Sequence, residues 1–178
     1  MAKEVTELEA GFARMKEIYH DDQRMSPGSR AELRRAPAPD ALLLRPAFYR
    51  LTGGESWDGW QRVAFILPHV KKISDDEKLS AGRSFAEADK GKSFDSENKK
   101  DKLTPIGVRL TQIKRLDPPH DLIQLRRLIV HLEPAFNWLS LAKTLFWWNA
   151  ETKQRLLEDY FRAKYAGEKT EKKEKKGN

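Results

Sequence analysis

Adjacent basic residues recur in three segments of helical periodicity: Arg34–Arg35, Lys114–Arg115 and Arg126–Arg127. Neighbours on a helix stand about 100° apart, so one member of each pair can face a ligand while the other brackets the core. A planar guanidinium grips phosphate oxygens two at a time, and arginines fixed on helices therefore suit a phosphate backbone. A salt-bridged helical surface accounts for any single pair equally well. Three pairs on separate helices, in a chain with excess positive charge, favour a polyanion held by phosphate contacts.

Little else in the chain could do chemistry. The four histidines, His20, His69, His120 and His131, fall on different elements and share no ligand spacing such as H-x-x-x-H. His20-Asp21-Asp22 has the residue types for a divalent cation, but at a helix end it reads as a solvated turn. There is no phosphate loop of the form G-x-x-x-x-G-K-[ST], no G-x-S-x-G elbow and no G-x-G-x-x-G. Cysteine is absent, which removes disulfides, thiolate metal sites and thiol catalysis. No catalytic residue, metal or cofactor is expected. Trp147 and Trp148 could stack on bases; at helical spacing with Leu141, Leu145 and Leu157 they read as packing.

The elements that must hold the basic pairs are legible as helices. On a wheel with Leu125 at zero, Leu122, Leu125, Leu128, Ile129 and Leu132 fall on one arc about 120° wide. Arg126 sits at the edge of that stripe, and Arg127 and His131 point to the opposite side. Thr104 caps a helix with Pro105 in its first position. Its apolar stripe is Ile106, Leu110, Ile113 and Leu116, with Lys114 and Arg115 outside it. Arg109 falls inside this arc, so it either snorkels past the core edge or faces a partner. Ser29-x-x-Glu32 has the form of a capping box for a short helix over 30–36, stopped by Pro37 and Pro39.

The remaining helices are predicted at about 4–20, from Pro46 to Gly53-Gly54, from Trp57 through 67, from an Asn137 cap through Trp148, and after an Asn149 cap. The last carries Leu156, Leu157, Tyr160 and Phe161 inward. No run alternates β-branched residues between turn signals. The expected fold is all-α, a bundle of about eight helices in a domain spanning 1–166. Residues 74–102 are polar and weakly periodic, with at most one short helix around 79–88. They read as a surface insertion or loop between two helical halves.

The net charge of +7 favours an acidic partner. Gly167–Asn178 holds five lysines and three glutamates, so about +2 of the charge lies in a tail with no apolar residue, expected to be disordered. The other +5 lies on the helical part. A mean hydropathy of −0.75, with no run near the roughly 20 apolar residues that span a bilayer, argues against a membrane protein. The start, Met1-Ala2-Lys3-Glu4, lacks an apolar signal core, and a cytoplasmic protein is expected.

Several signatures then stand together in order. Ala31-Glu32-Leu33-Arg34-Arg35-Ala36 is followed by Pro46-Ala47-Phe48-Tyr49-Arg50-Leu51 and Gly82-Arg83. Next come Gln124-Leu125-Arg126-Arg127-Leu128, His131-x-Glu133-Pro134, Trp138, Trp147-Trp148 and Leu156-Leu157-Glu158-Asp159. In this order, over about residues 30–162, the chain resembles the CasB family, the small subunit of the type I-E CRISPR surveillance complex Cascade. The resemblance implies an all-helical, non-enzymatic subunit present as two copies in a crRNA-guided prokaryotic complex. Its implied partners are the large and backbone subunits, a second copy of itself, crRNA, and target DNA including the displaced single strand. The nucleic-acid-binding residues carried over are Arg34, Arg35, Arg50, Arg83, Arg109, Lys114, Arg115, Arg126 and Arg127. The competing expectation is a purely structural adaptor whose arginines meet acidic protein surfaces.

Overall fold

The computed structural model describes the backbone of residues 2–90 and 103–174, and the side chains of residues 6–90 and 103–165. Nine α-helices occur among the described residues: α1 (Ala2–His20), α2 (Pro27–Arg34), α3 (Pro46–Thr52), α4 (Asp58–Ile66), α5 (Ala81–Lys90), α6 (Pro105–Arg115), α7 (His120–Leu132), α8 (Trp138–Phe146) and α9 (Ala150–Glu174). Two 3₁₀ turns, Asp40–Leu44 and Leu67–His69, fill gaps between them. The all-α expectation holds, with one addition. Two-residue strands β1 (Lys72–Ile73) and β2 (Ala135–Phe136) pair in parallel, tying the exit of α4 to the entry of α8. So short a pairing leaves no alternating pattern to read.

Helix boundaries follow their caps. Thr104 Oγ1 accepts from Gly107 N at 3.1 Å, Asn137 Oδ1 from Ser140 N at 3.0 Å, and Asn149 Oδ1 from Thr152 N at 2.9 Å. The cap of α2 lies three residues before the predicted one. Ser26 Oγ accepts from Ser29 N at 3.2 Å, and Pro27 takes the first turn, where its missing N–H costs nothing. Ser29 is already inside the helix. Helix α8 stops at Phe146 rather than running through Trp148, and the chain turns at Trp147 into the α9 cap.

The helical halves expected on either side of residues 74–102 share one core. A single buried cluster runs from Phe12, Met15 and Leu33 through Phe65 and Phe85 to Leu125, Leu145 and Tyr160. Residues 91–102 lie outside the described residues. Residues 81–90 are not surface loop: α5 lies along α9 with Phe85 and Ala86 fully buried. Its small residues let it dock closely, which a count of apolar residues misses. A Cβ on Gly82 would fall 2.2 Å from the carbonyl oxygen of Leu156, so the two backbones are in contact there. Gly82→Ala must push α5 off α9 and is expected to cost about 1–3 kcal/mol of stability, measured by urea unfolding. The tail expected to be disordered from Gly167 is helical in its backbone as far as Glu174, as alternating Glu and Lys allow; residues 175–178 lie outside the described residues.

Three polar joints fix helix against helix. Trp138 Nε1 donates to Phe12 O at 2.7 Å, tying α8 to α1. The Tyr160 hydroxyl donates to Asp89 Oδ2 at 2.7 Å and lies 2.6 Å from Thr104 Oγ1, joining α9, α5 and α6. Burial, with the Asp89 carboxylate adding to it, pushes that phenol well above its ordinary range. Beneath α7, buried Asp121 accepts from Trp148 Nε1 at 2.8 Å and from Lys153 Nζ at 3.0 Å.

Candidate nucleic-acid interface

Helix α2 and helix α7 meet the 3₁₀ turn Leu67–His69 from two sides, and this brings Arg34, His69 and Arg126 together. Arg126 is half-buried at the edge of the α7 stripe, as the wheel predicts. Its Nη1 donates to Ala36 O at 2.6 Å, and its guanidinium stands 4.5 Å from the centre of the Phe65 ring. That side chain braces α7 against the end of α2. Burial, then the neighbouring Arg127, lowers its pKa. Arg127 is exposed on the outer face. Arg34 is exposed too, its Nη2 3.4 Å from the Tyr19 hydroxyl.

His69 reports the field at this junction. Burial first, then Arg126 and Arg34, push its imidazole down to about 4. His20, at the end of α1, is lowered likewise by burial, Arg30 and Lys16. Cations therefore stand around both histidines, Lys16 and Arg30 at His20 and Arg34 and Arg126 at His69, with Arg127 exposed beyond them. The sequence reading missed Lys16 and Arg30 among these cations, and His69 between Arg34 and Arg126. Arg30 donates through Nε to Tyr19 O at 2.7 Å and pairs with Asp22 at 2.6 Å, which places it against α1. Lys16 and His20 are one helical turn apart, a spacing visible in the sequence, but nothing there says that α2 lies alongside them.

Both histidines bind protons more tightly when unfolded than when folded. Stability is therefore full above the unfolded value near 6.5 and declines as pH falls toward the folded values. The imidazole of His69 is expected to titrate near 4 in a two-dimensional NMR series, with Tm falling as pH drops below about 6.5. A phosphate polymer seated on Arg34 and Arg127 should raise that midpoint by offsetting the positive field.

The other candidates occupy different faces. Arg109 is exposed on α6, at a groove of about 240 Å³ shared with Ile106, Leu128, Leu132 and His131 of the facing helix. Its place in the apolar arc is explained by that groove, where an apolar stem lies along apolar wall. His131 stands one turn beyond Arg127 on α7. Lys114 and Arg115 are exposed in the last turn of α6, Arg35 caps α2, and Arg50 is exposed on α3. Arg83 is on α5, where its Nε lies 3.1 Å from Glu87 Oε1.

Of these nine residues, only Arg83 forms an ion pair with a carboxylate among the described residues. The paired cations are mostly others, such as Arg24, Arg62, Lys71, Lys143 and Lys164. A salt-bridged surface would have paired the candidates instead. Among the described residues, no group of three or more His, Asp or Glu side chains is placed to hold a metal ion, and no helix is long and apolar enough to cross a membrane. The tryptophans separate. Trp148 is buried and bonded to Asp121, whereas Trp147, read as packing, is 60% exposed because α8 has already ended.

The chain is similar over most of its length to known proteins. The chain is 32% identical over 157 residues to the CRISPR system Cascade subunit CasB of Escherichia coli (strain K12), covering 80% of this chain and 89% of that protein. It superimposes with a TM-score of 0.69 and 31% identity on a chain in the crystal structure of E. coli Cascade bound to a PAM-containing dsDNA target, covering 85% of this chain and 95% of the other. A chain from a CRISPR RNA-guided surveillance complex shares the fold at a TM-score of 0.65 and 20% identity, covering 93% and 98%. Residues 29–161 match the model of the CRISPR-associated protein Cse2 family, from within α2 to the middle of α9, and the chain belongs to that family.

Proposed function

We propose that this chain is the non-catalytic small subunit of a type I-E Cascade, holding nucleic acid by its phosphates and stabilising the R-loop. The supporting observation is that, among the described residues, eight of the nine candidate cations, all but Arg83, form no ion pair with a carboxylate, with Arg34 and Arg126 converging on His69. Guide pairing supplies the sequence information in such complexes, and strand exchange is nearly balanced in free energy. A modest, sequence-independent attraction for the displaced strand is therefore enough to shift it. With five or six phosphates neutralised, log affinity for single-stranded DNA should fall against log salt with a slope of about −4. Its partners on this reading are the other Cascade subunits, a second copy of itself, crRNA and target DNA.

The test is a complex reconstituted without this subunit. The target concentration needed for stable strand opening should rise, whatever the target sequence. If R-loops form and persist equally well, the structural-adaptor reading replaces this one. One feature favours that alternative in part: Leu44 is 89% exposed at the end of its 3₁₀ turn, beside half-exposed Tyr49, which donates to Leu43 O at 3.0 Å. A rigid apolar knob of that kind suits a protein surface rather than phosphate.

A further inference from the structure

The N-terminus of α4 and the C-terminus of α8 meet over a cleft of about 590 Å³, walled by Trp57, Asp58, Gly59, Arg62, Phe146 and Trp147. Gly59 makes the meeting possible. A Cβ there would lie 2.6 Å from the Phe146 ring, so that ring sits directly on the α4 backbone. Trp57 is the residue capping α4 and Trp147 the residue capping α8. Both indoles therefore project beyond their helices, 69% and 60% exposed. Trp147 is held edge-on against Phe146 at 5.0 Å between ring centres.

The cleft and the hollow beside it carry two carboxylates, Asp58 and Asp40, and one cation, Arg62, unlike the basic surface. Arg62 points inward, Nη1 donating to Phe146 O at 3.0 Å and Trp148 O at 3.2 Å. Asp58 makes only a long ion pair with Arg62 Nη2, at 3.8 Å, and its side chain stays 83% exposed and open to a second cation. A second hollow of about 300 Å³ continues past Asp58 and Arg62 to Asp40 and Pro118. Asp58 and two open indoles thus share one cleft with a single arginine that is also bound to backbone carbonyls, and Asp40 lies in the adjoining hollow.

We propose that this cleft binds an arginine side chain presented by a protein partner, its guanidinium lying against Trp57 and Trp147 and pairing with Asp58. Indole is the strongest aromatic partner for a cation, and a planar guanidinium can stack while its edge meets a carboxylate, which an ammonium does less well. A nucleobase also stacks on indole, but its phosphates would then face Asp58 and Asp40. Charge therefore selects a cation. The site is built from elements other than the basic surface and does not depend on the nucleic-acid reading.

The full chain with ¹⁵N-labelled tryptophan gives the test, since each indole N–H is a separate probe. Acetyl-Gly-Arg-Gly-amide should shift the Trp57 and Trp147 signals saturably. That of Trp138, which donates to Phe12 O inside the protein, should stay fixed. The citrulline peptide should leave all of them in place, and Asp58→Asn should weaken the arginine peptide severalfold. In Trp57→Ala the Trp147 signal should no longer respond, while an unchanged Trp138 signal shows the fold intact. Equal shifts from citrulline, or no shift from arginine, would overturn the proposal. Oligothymidylate moving the Trp57 and Trp147 signals where the arginine peptide does not would make the cleft a nucleobase site.

Discussion

Asp121→Ala is expected to cost about 3–5 kcal/mol, the range seen when one partner of a buried ion pair is removed. Asp121 is fully buried, and its Oδ2 takes both the Lys153 ammonium and the Trp148 indole N–H. Without it, Lys153 keeps only Leu116 O, at 2.7 Å, and Trp148 loses its acceptor. Domains of this size have about 5–15 kcal/mol in total, so roughly a fifth or more of the stability rests on one carboxylate. Denaturant unfolding with a double-mutant cycle checks it. Asp121→Ala with Lys153→Met should recover much of the loss, because the uncompensated charge is the main penalty. A single-mutant cost below about 1 kcal/mol would show that the pair contributes no more than an exposed one.

The second large effect is on binding. Arg34→Glu with Arg127→Glu should weaken single-stranded DNA on the order of tenfold or more at low salt, with the difference shrinking as salt rises. The slope of log affinity against log salt should become shallower by about 1.4, two phosphates at 0.7 each. Stability should move little, since both side chains are exposed and Arg34 makes only a long contact to Tyr19. An internal check comes with it: removing the Arg34 charge should let the His69 midpoint rise from about 4. A binding loss that does not depend on salt would assign these arginines to structure instead.

The helices were largely legible because their ends are written locally: Thr104-Pro105, Asn137 and Asn149 each cap the helix expected of them. The α2 start was displaced because two serines three residues apart compete, and Ser26 before Pro27 satisfies two preferences at once. Trp147 was misread for a related reason. A wheel extended past Phe146 turns a capping residue into a core one. The division between Arg126 and Arg127 was visible, since it depends only on angle about one axis. The convergence of Arg34, His69 and Arg126 was not, because it depends on how α2 and α7 close over a turn between them. Asp121 lay hidden in a D-P-P-H-D turn that looks solvated until Lys153 arrives from α9.

Helix α9 has a bearing on the order of synthesis. It supplies Lys153 to Asp121 and Leu116 O, Leu156 to the contact with Gly82, and Tyr160 to Asp89 and Thr104, so α5, α6 and α7 are all completed by a helix that leaves the ribosome after them. Until residues 150–165 emerge, Phe85, Leu110 and the Asp121 carboxylate have no lid. The nascent chain must wait as a partly collapsed intermediate with apolar surface showing, the kind of species that chaperones hold and that aggregates when they do not. A stop codon or frameshift near residue 149 would therefore yield not a smaller working subunit but an unfinished one.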